Sequence, residues 1–359
     1  MNRLNQLFWK RVTESTQMTL ESLVILRILA GLFFLIIYSP FFSWIGEVPQ
    51  AFFFPPTLSL ANLFSGFPPA YFFYGLDILI TLALLGVTLG YKAKVSGIVA
   101  SILLFIGFNW QYSMGKIDHN ILLLAFLAIM SFSGWGSNAA LVPDRSEPKG
   151  HKEKATSLLA VLLCFGMFSA GFLKAYVWLD FDPTMNGFLR WYYSGLYGKG
   201  TDYFFIKYLQ ELIFWWLDLM DYGGVLFEWS PFLFLLIGRK SWRLWLLGAT
   251  LFHLTNLLIL NIPFTPSFII YLTFLNLEVL YPKIERLFEK KVNRQIFVGL
   301  VVLLGVNRLL YSFSIPYSYF EFLKQRDVIM YLALILWVSS AGLFARNIWK
   351  LYFHPNNPA

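Results

Sequence analysis

The sequence predicts an all-α integral membrane protein, a polytopic bundle of about ten transmembrane helices (eight to ten) with both termini in the cytoplasm. Of its 359 residues, 58% are hydrophobic and only 13% are charged, too few polar side chains to cover a soluble globule of this size. Apolar stretches long enough, or nearly so, to cross a bilayer recur along the chain. Lys and Arg concentrate in alternate connections, as the positive-inside rule requires.

Charge and cysteine content narrow the class of protein further. The net charge of +8 would suggest nucleic acid in a soluble protein, but here the basic residues lie in short loops that orient a membrane protein. We therefore expect the lipid bilayer as a partner and no nucleic acid. The single Cys164 allows no intrachain disulfide and no thiolate metal site, and we predict no metal.

The chain divides into three predicted parts. Residues 1–20 carry Arg3, Lys10 and Arg11 among apolar positions, which indicates an amphipathic cytoplasmic segment rather than a cleaved signal. Residues 21–280 form the main transmembrane bundle, and residues 281–359 form a two-helix extension with a short tail. The predicted spans, in order, are 21–38, 70–90, 95–111, 117–133, 156–174, 219–237, 242–260, 266–280, 296–313 and 328–345.

The basic connections alternate with connections poorer in Lys and Arg. The basic ones are the N-terminus, Lys92/Lys94, 145–154, Arg239/Lys240/Arg243, 283–294 and Arg346/Lys350. The span at 219–237 is interrupted by Glu228 and by Ser230-Pro231, so a re-entrant or interfacial helix is an alternative there.

Lys174 is the residue that points most directly to function. It ends an almost uncharged apolar run, 157–173. A charged side chain at membrane depth costs roughly 3 kcal/mol on insertion scales and usually marks a functional site or a paired group. A lysine in such surroundings can act as a neutral amine base.

Several other polar residues fall at a similar predicted depth, in the outer half of the bilayer. His253 and Asn256 are three apart and share one helix face, and a histidine there could bond a developing oxyanion or carry a proton. The other polar residues at this level are His119, Asn109, Asp77, Asn307 and Arg308. Arg27, Asp77 and Arg308 are interpreted as structural intramembrane charges that pair or point inward.

For each of these residues, a purely structural role is an alternative to a functional one. A lysine at a span end often extends to the headgroups, and His119 in a first turn fits an interfacial position. His253 with Asn256 fits an interhelical hydrogen-bonding pair. Haem ligation by His119 and His253 is a further alternative.

Several motifs together carry a resemblance to a known family. They are Lys116-Ile-Asp118-His119-Asn120, Ala170-Gly171-Phe172-Leu173-Lys174, Phe252-His253-Leu254-Thr255-Asn256 with Ile262-Pro263-Phe264, and, earlier, Arg27-Ile-Leu-Ala-Gly31-Leu and Leu84-Leu-Gly86-Val-Thr-Leu-Gly90. In order and spacing over about residues 20–280, the chain resembles the vitamin K-dependent gamma-carboxylase family and its bacterial relatives with an HTTM domain.

The resemblance implies a quinol-dependent epoxidase and carboxylase, a carbon-carbon lyase. In that family a base lysine deprotonates reduced vitamin K, oxygen adds, and the strong base so formed removes a glutamate γ-proton before carbon dioxide traps the carbanion. The roles carry over to Lys174 as the base, with Leu173 in place of the preceding family lysine, and to His119 and His253 as catalytic histidines. The expected cofactor is a reduced naphthoquinone, with O2 and CO2 as co-substrates.

Around these residues we expect contacts to a quinol that enters sideways from the outer leaflet. The expected contact residues are Asn256, Asn109, Trp110, Phe172, Tyr176 and Asn120. The family carboxylases carry a large extracytoplasmic region after the bundle, whereas this chain has only 314–327 and a short tail there. Substrate recognition would then fall to a peptide or partner protein, or the acceptor would be smaller.

Two functions of other classes remain open. One is a non-catalytic lipid- or quinone-binding or assembly protein. It would use the predicted outer-leaflet cavity around Lys174, with this lysine as counter-ion to an anionic headgroup. The other is a secondary transporter, which is disfavoured because no pair of Gly/Pro-broken spans occupies matching positions in two halves.

Overall fold

A computed structural model describes residues 3–57, 59–115, 120–145, 150–180, 182, 186–198, 200, 202–211, 214–316 and 318–353. The described residues form helices, turns and two isolated bridges. Their α-helices are α1 Arg3–Thr16, α2 Leu20–Leu32, α3 Ala70–Leu89, α4 Ala93–Tyr112, α5 Ile121–Met130, α6 His151–Trp178, α7 Gly187–Tyr193, α8 Phe214–Trp229, α9 Pro231–Ile237, α10 Arg239–Leu260, α11 Thr265–Leu272, α12 Tyr281–Glu289, α13 Lys291–Ser312, α14 Tyr319–Leu323 and α15 Arg326–Phe353.

The all-α, multi-pass membrane class is supported by seven described segments that are long and apolar enough to cross a bilayer. They are α2 with the π-helical turn Phe33–Ile37, then α3, α4, α6, α10, α13 and α15. α8 and α9 together would make an eighth, bent by 46° at Ser230. The predicted count of about ten is not confirmed, since the α-helices among the described residues of 117–133 and 266–280 are the short α5 and α11.

The chain folds into two compact units that are discontinuous in sequence. Unit 1 comprises residues 1–17, 157–275 and 326–358, and unit 2 comprises 18–156 and 276–325. The amphipathic α1 therefore packs within unit 1, where the Ser15 hydroxyl donates to the Leu235 carbonyl at 2.7 Å. The predicted part 21–280 contributes to both units.

In unit 2, α2 and α3 pack closely because a glycine removes a side chain between them. A Cβ built on Gly31 would lie 2.8 Å from the Thr88 Cα, closer than real Cβ atoms approach. At the end of α3, Gly90 adopts a left-handed φ of +69° and closes the helix. Nearby, the Arg27 guanidinium donates to the Ala139 carbonyl.

The short helix α5 nevertheless returns the chain along α4. Phe54 pairs with Met114 just beyond the C-terminal end of α4, and Tyr91 pairs with Val142 just before its N-terminal end. Midway, the Ser101 hydroxyl of α4 donates to the Leu124 carbonyl of α5 at 2.8 Å. The described residues that contain α5 thus return along α4, although only ten of them are α-helical.

Candidate functional site

The predicted base Lys174 lies on the part of α6 that belongs to unit 1. The helix continues to Trp178, so Lys174 lies one turn before its end rather than at the end. Burial follows the helical period: Leu163, Cys164 and Gly171 are buried, whereas Phe165, Phe172 and Tyr176 are exposed. Lys174 shares the inward face, seven residues after Met167 and three after Gly171.

Lys174 forms an ion pair with Glu228 of α8. The Lys174 side chain is 28% exposed and that of Glu228 is 5% exposed. The ammonium also lies 5.3 Å from the ring centroid of Trp178, a distance typical of a cation–π contact. The carboxylate is buried and the ammonium partly exposed, so Glu228 supplies the partner that an intramembrane lysine requires.

Gly171 allows α8 to approach α6 closely enough for this pair to form. A Cβ at position 171 would lie 2.8 Å from the Glu228 Cβ and 2.9 Å from the Trp229 Cδ1. Any side chain there would push α8 away. The break between α8 and α9 follows at once, where the Ser230 hydroxyl donates to the Phe227 carbonyl at 2.7 Å and Pro231 begins α9.

Within the described chain, two buried polar atoms at this contact have no hydrogen-bond partner, the Glu228 Oε2 and the Trp229 Nε1. A buried acceptor or donor left unpaired costs free energy. The Phe168 ring borders this contact, 6.3 Å from the Trp229 ring, and lies 6.2 Å from the exposed ring of Phe172.

His253 is the second predicted catalytic residue that lies in unit 1. It is 4% exposed, and its Nε2 lies 2.8 Å from the Tyr271 hydroxyl of α11. Trp337 of α15 stacks on the imidazole with a centroid separation of 4.9 Å, and its indole N–H donates to the Pro263 carbonyl at 2.7 Å. These contacts fix the ring plane of His253.

The same face of α6 contacts both pairs. The Tyr271 hydroxyl lies 3.9 Å from the Met167 sulfur, and Gly171 packs against Glu228. Met167, Gly171 and Lys174 therefore align the His253–Tyr271 pair with the Lys174–Glu228 pair along about 10 Å of helix, since each residue rises 1.5 Å. We call these residues, Met167, Gly171, Lys174, Glu228, His253 and Tyr271, the α6 site.

The other predicted contact residues in unit 1 are Asn256, Phe172 and Tyr176. Asn256 is partly exposed one turn after His253, and its carbonyl accepts from the Ile262 N–H at 3.3 Å. Phe172 is 61% exposed and Tyr176 is 93% exposed, on the opposite face of α6 from Lys174. That face is available to lipid or to a lipid-soluble molecule, and the roles of both residues in binding stay predictions.

Unit 2 holds the remaining predicted contacts. The Asn109 Oδ1 accepts from the Ser59 hydroxyl at 2.7 Å, Trp110 is buried against the ring of Phe64 at 4.9 Å, and Asn120 precedes α5. His119 lies outside the described residues.

The intramembrane charges of unit 2 are buried and hydrogen-bonded. The Asp77 carboxylate accepts from the backbone N–H of Phe42 and of Ser43, each at 3.0 Å, and from the Ser312 hydroxyl at 2.6 Å. Arg308 donates to Ser39, to the Pro40 carbonyl at 2.6 Å and to Thr81 at 2.9 Å. Both side chains hold the segment 39–43 against α3 and α13.

Sequence reasoning did not assign three members of the α6 site, Met167, Glu228 and Tyr271. Of these, Glu228 entered the sequence analysis only as an interruption of a predicted span. An acidic residue in a broken span, together with a lysine in another span, is a signal that could have suggested the pair. No comparable sequence signal marks Tyr271.

Comparison with family models, with curated proteins and with solved structures gives no significant match to this chain.

Proposed function

We propose that this protein is an integral membrane enzyme whose α6 site removes a proton from a hydroxyl group of a membrane-soluble quinol. The observation that carries the proposal is the buried Lys174–Glu228 pair. Such a pair is expensive to place in a membrane, and an acid–base role would account for it.

The chemistry assigned to the pair involves two proton transfers. The Glu228 carboxylate accepts a proton from the Lys174 ammonium, and the neutral amine then takes the proton of the substrate hydroxyl. The substrate leaves as an anion, and Glu228 holds the proton. In this proposal the Trp229 N–H and the ammonium stabilise the new oxyanion, and His253, held by Tyr271, is a second group able to exchange a proton with the substrate.

The orientation that we propose follows from the basic connections. Arg239 and Lys240 precede α10, and Lys92 and Lys94 lie between α3 and α4. We assign both of these connections to the cytoplasm and assume an even number of crossings. Both termini are then cytoplasmic, and the C-terminal end of α6 points toward the outer leaflet. A lipid-soluble substrate would then reach Lys174 from the bilayer.

The fuller form of the proposal follows the family resemblance. Quinol oxidation to the epoxide, with O2, would be coupled to carboxylation of a glutamate-like acceptor with CO2. A peptide or partner protein would supply recognition of the acceptor. The naphthoquinol, when bound, would supply the oxygen-activating chemistry, and the residues of this chain would supply deprotonation, orientation and exclusion of water.

The direct test is epoxide formation from a reduced naphthoquinone by detergent-purified protein with oxygen and no peptide. We expect epoxide from the wild type and from Lys207→Ala, and none above background from Lys174→Ala. Lys207 is the matched control because it is also a lysine paired with a carboxylate, Asp202, but is 63% exposed. Equal epoxide from Lys174→Ala and the wild type would refute the base assignment.

A second candidate is favoured by one specific observation. Lys174 is already engaged by Glu228, and an ammonium held in this way resembles a fixed counter-ion more than a free base. A non-catalytic quinone- or lipid-binding protein would retain ligand through purification, lose it in Lys174→Ala, and form no epoxide in any variant.

A further inference from the structure

Unit 2 contains a cavity that the proposed function does not use. Its volume is about 410 Å³, which lies in the range of small-ligand sites. It is built from the 3-10 helix Ser43–Glu47, the first turns of α3, the end of α13 and the start of α14. Two of these elements, α3 and α13, are membrane-length helices whose ends line the cavity, which indicates a level near the lipid headgroups.

The walls are aromatic and acidic. Phe41, Trp44, Tyr74 and Tyr311 contribute four rings, and Glu47 and Glu321 contribute two carboxylates. No Lys or Arg is among the described residues that line the cavity. In the part of the chain that the structure describes, neither glutamate belongs to an ion pair.

The rings are held in place by the interior of unit 2. The Trp44 indole N–H donates to the Phe41 carbonyl at 2.8 Å, which leaves the residue 43% exposed. Tyr74 stacks on Phe313 at 5.1 Å. Below them, Ser43 and Ser312 are fixed by the buried Asp77, so the cavity is largely formed before any ligand arrives.

One of these rings, that of Phe41, already lies close to two cationic side chains of unit 2. The Arg308 guanidinium lies 4.3 Å from the centroid of Phe41, and the Lys324 ammonium lies 5.4 Å from it. The buried Asp77 binds the lining residues Ser43 and Ser312. Three carboxylates, Asp77, Glu47 and Glu321, therefore outnumber the two nearby cations, Arg308 and Lys324. The local field therefore favours a positive ligand against Trp44, Tyr74 and Tyr311.

We propose that this cavity binds a quaternary ammonium group. Such a group is weakly hydrated, packs against aromatic faces and needs carboxylates nearby rather than hydrogen-bond acceptors at fixed angles. The same chemistry is offered by a choline lipid headgroup and by a free trimethylammonium compound.

The test compares choline with its uncharged isostere, 3,3-dimethylbutan-1-ol, in titrations of the purified full-length protein monitored by tryptophan fluorescence. A parallel arm counts the lipids that remain bound, by native mass spectrometry, after exchange into phosphatidylcholine or phosphatidylglycerol nanodiscs. The variants are Trp44→Ala and the double variant Glu47→Gln/Glu321→Gln. The exposed Trp349 of unit 1 (58% exposed) provides the control, Trp349→Ala.

Saturable choline binding, at least about tenfold weaker in either cavity variant and unchanged in Trp349→Ala, would support the site for a free ammonium ligand. Selective retention of phosphatidylcholine, lost in the same variants without choline binding, would support it with lipid as the source. The proposal is overturned if choline binds no better than the isostere and retained lipid does not depend on the variants. Glutamine preserves the size of the two exposed glutamates, and unchanged thermal unfolding would show that the variants fold.

Discussion

Lys174 and Glu228 differ in how far each reaches toward the surface, and this asymmetry governs what happens when one of them is removed. The lysine stem can carry a freed ammonium to headgroups or water. The 5% exposed glutamate has no such route. The pair is therefore expected to respond unequally to the two single substitutions.

We predict that Lys174→Met destabilises the protein by about 3 kcal/mol, since it leaves a buried carboxylate without its partner. Glu228→Gln is expected to cost about 1 kcal/mol, and the double variant should recover part of the loss. The free energy of unfolding in mixed detergent measures all three. The exposed Lys207→Met should change it by less than about 0.5 kcal/mol, and an equally small effect of Lys174→Met would contradict the buried pair.

Tyr271→Phe is predicted to cost about 1 kcal/mol, because it removes the hydroxyl partner of the His253 Nε2 while keeping the ring. The same unfolding measurement applies. Tyr176→Phe, at a residue that is 93% exposed, is the control and should leave stability unchanged. Identical stability of both variants would mean that the His253–Tyr271 contact does not contribute.

Among the secondary-structure elements, the contact between α6 and α8 depends on Gly171. We predict that Gly171→Ala displaces α8 and costs about 1–3 kcal/mol, as overpacking does, and that it lowers epoxide formation with Lys174 intact. Gly166→Ala on the same helix meets nothing within 4 Å and should be neutral or slightly stabilising. A neutral Gly171→Ala would show that α6 and α8 are not in close contact.

The elements also show how far sequence reasoning reaches. Hydropathy located α3 and α4 within two residues of their ends, because long apolar runs have few alternatives in a bilayer. It overestimated α5, where the Ser131 and Ser133 hydroxyls bond back to the carbonyls of Leu127 and Met130 at 2.7 and 2.6 Å. Such side chains compete with the backbone and end a helix that hydropathy would extend.

The candidate site was only partly foreseeable for the same reason. The cost of an isolated charge in a membrane marked Lys174. Its partner, Glu228, lies 54 residues later in the chain and is brought to it by the packing of α8 against α6. Asp77 and Arg308 were likewise recognisable as intramembrane charges. Their joint hold on the segment 39–43 depends on tertiary contacts that no local pattern encodes.

For the whole molecule, the proposed orientation makes a labelling prediction. Cys164 is fully buried, so a cysteine introduced elsewhere can be labelled with little background. Lys240→Cys should react with an impermeant maleimide only from the cytoplasmic side, and Tyr197→Cys, at a 67% exposed residue, only from the outer side. Labelling of both from one side would contradict the orientation.

The central claim, that Lys174 acts as a base, is tested most directly by Lys174→Arg in the epoxidation assay. Arginine keeps the positive charge and can still pair with Glu228, but it does not give up its proton. We predict near wild-type thermal stability together with loss of epoxide formation by at least about a hundredfold, the lower end of what general-base removal costs. Epoxide formation at the wild-type rate by a stable Lys174→Arg protein would show that the lysine serves only as a charge.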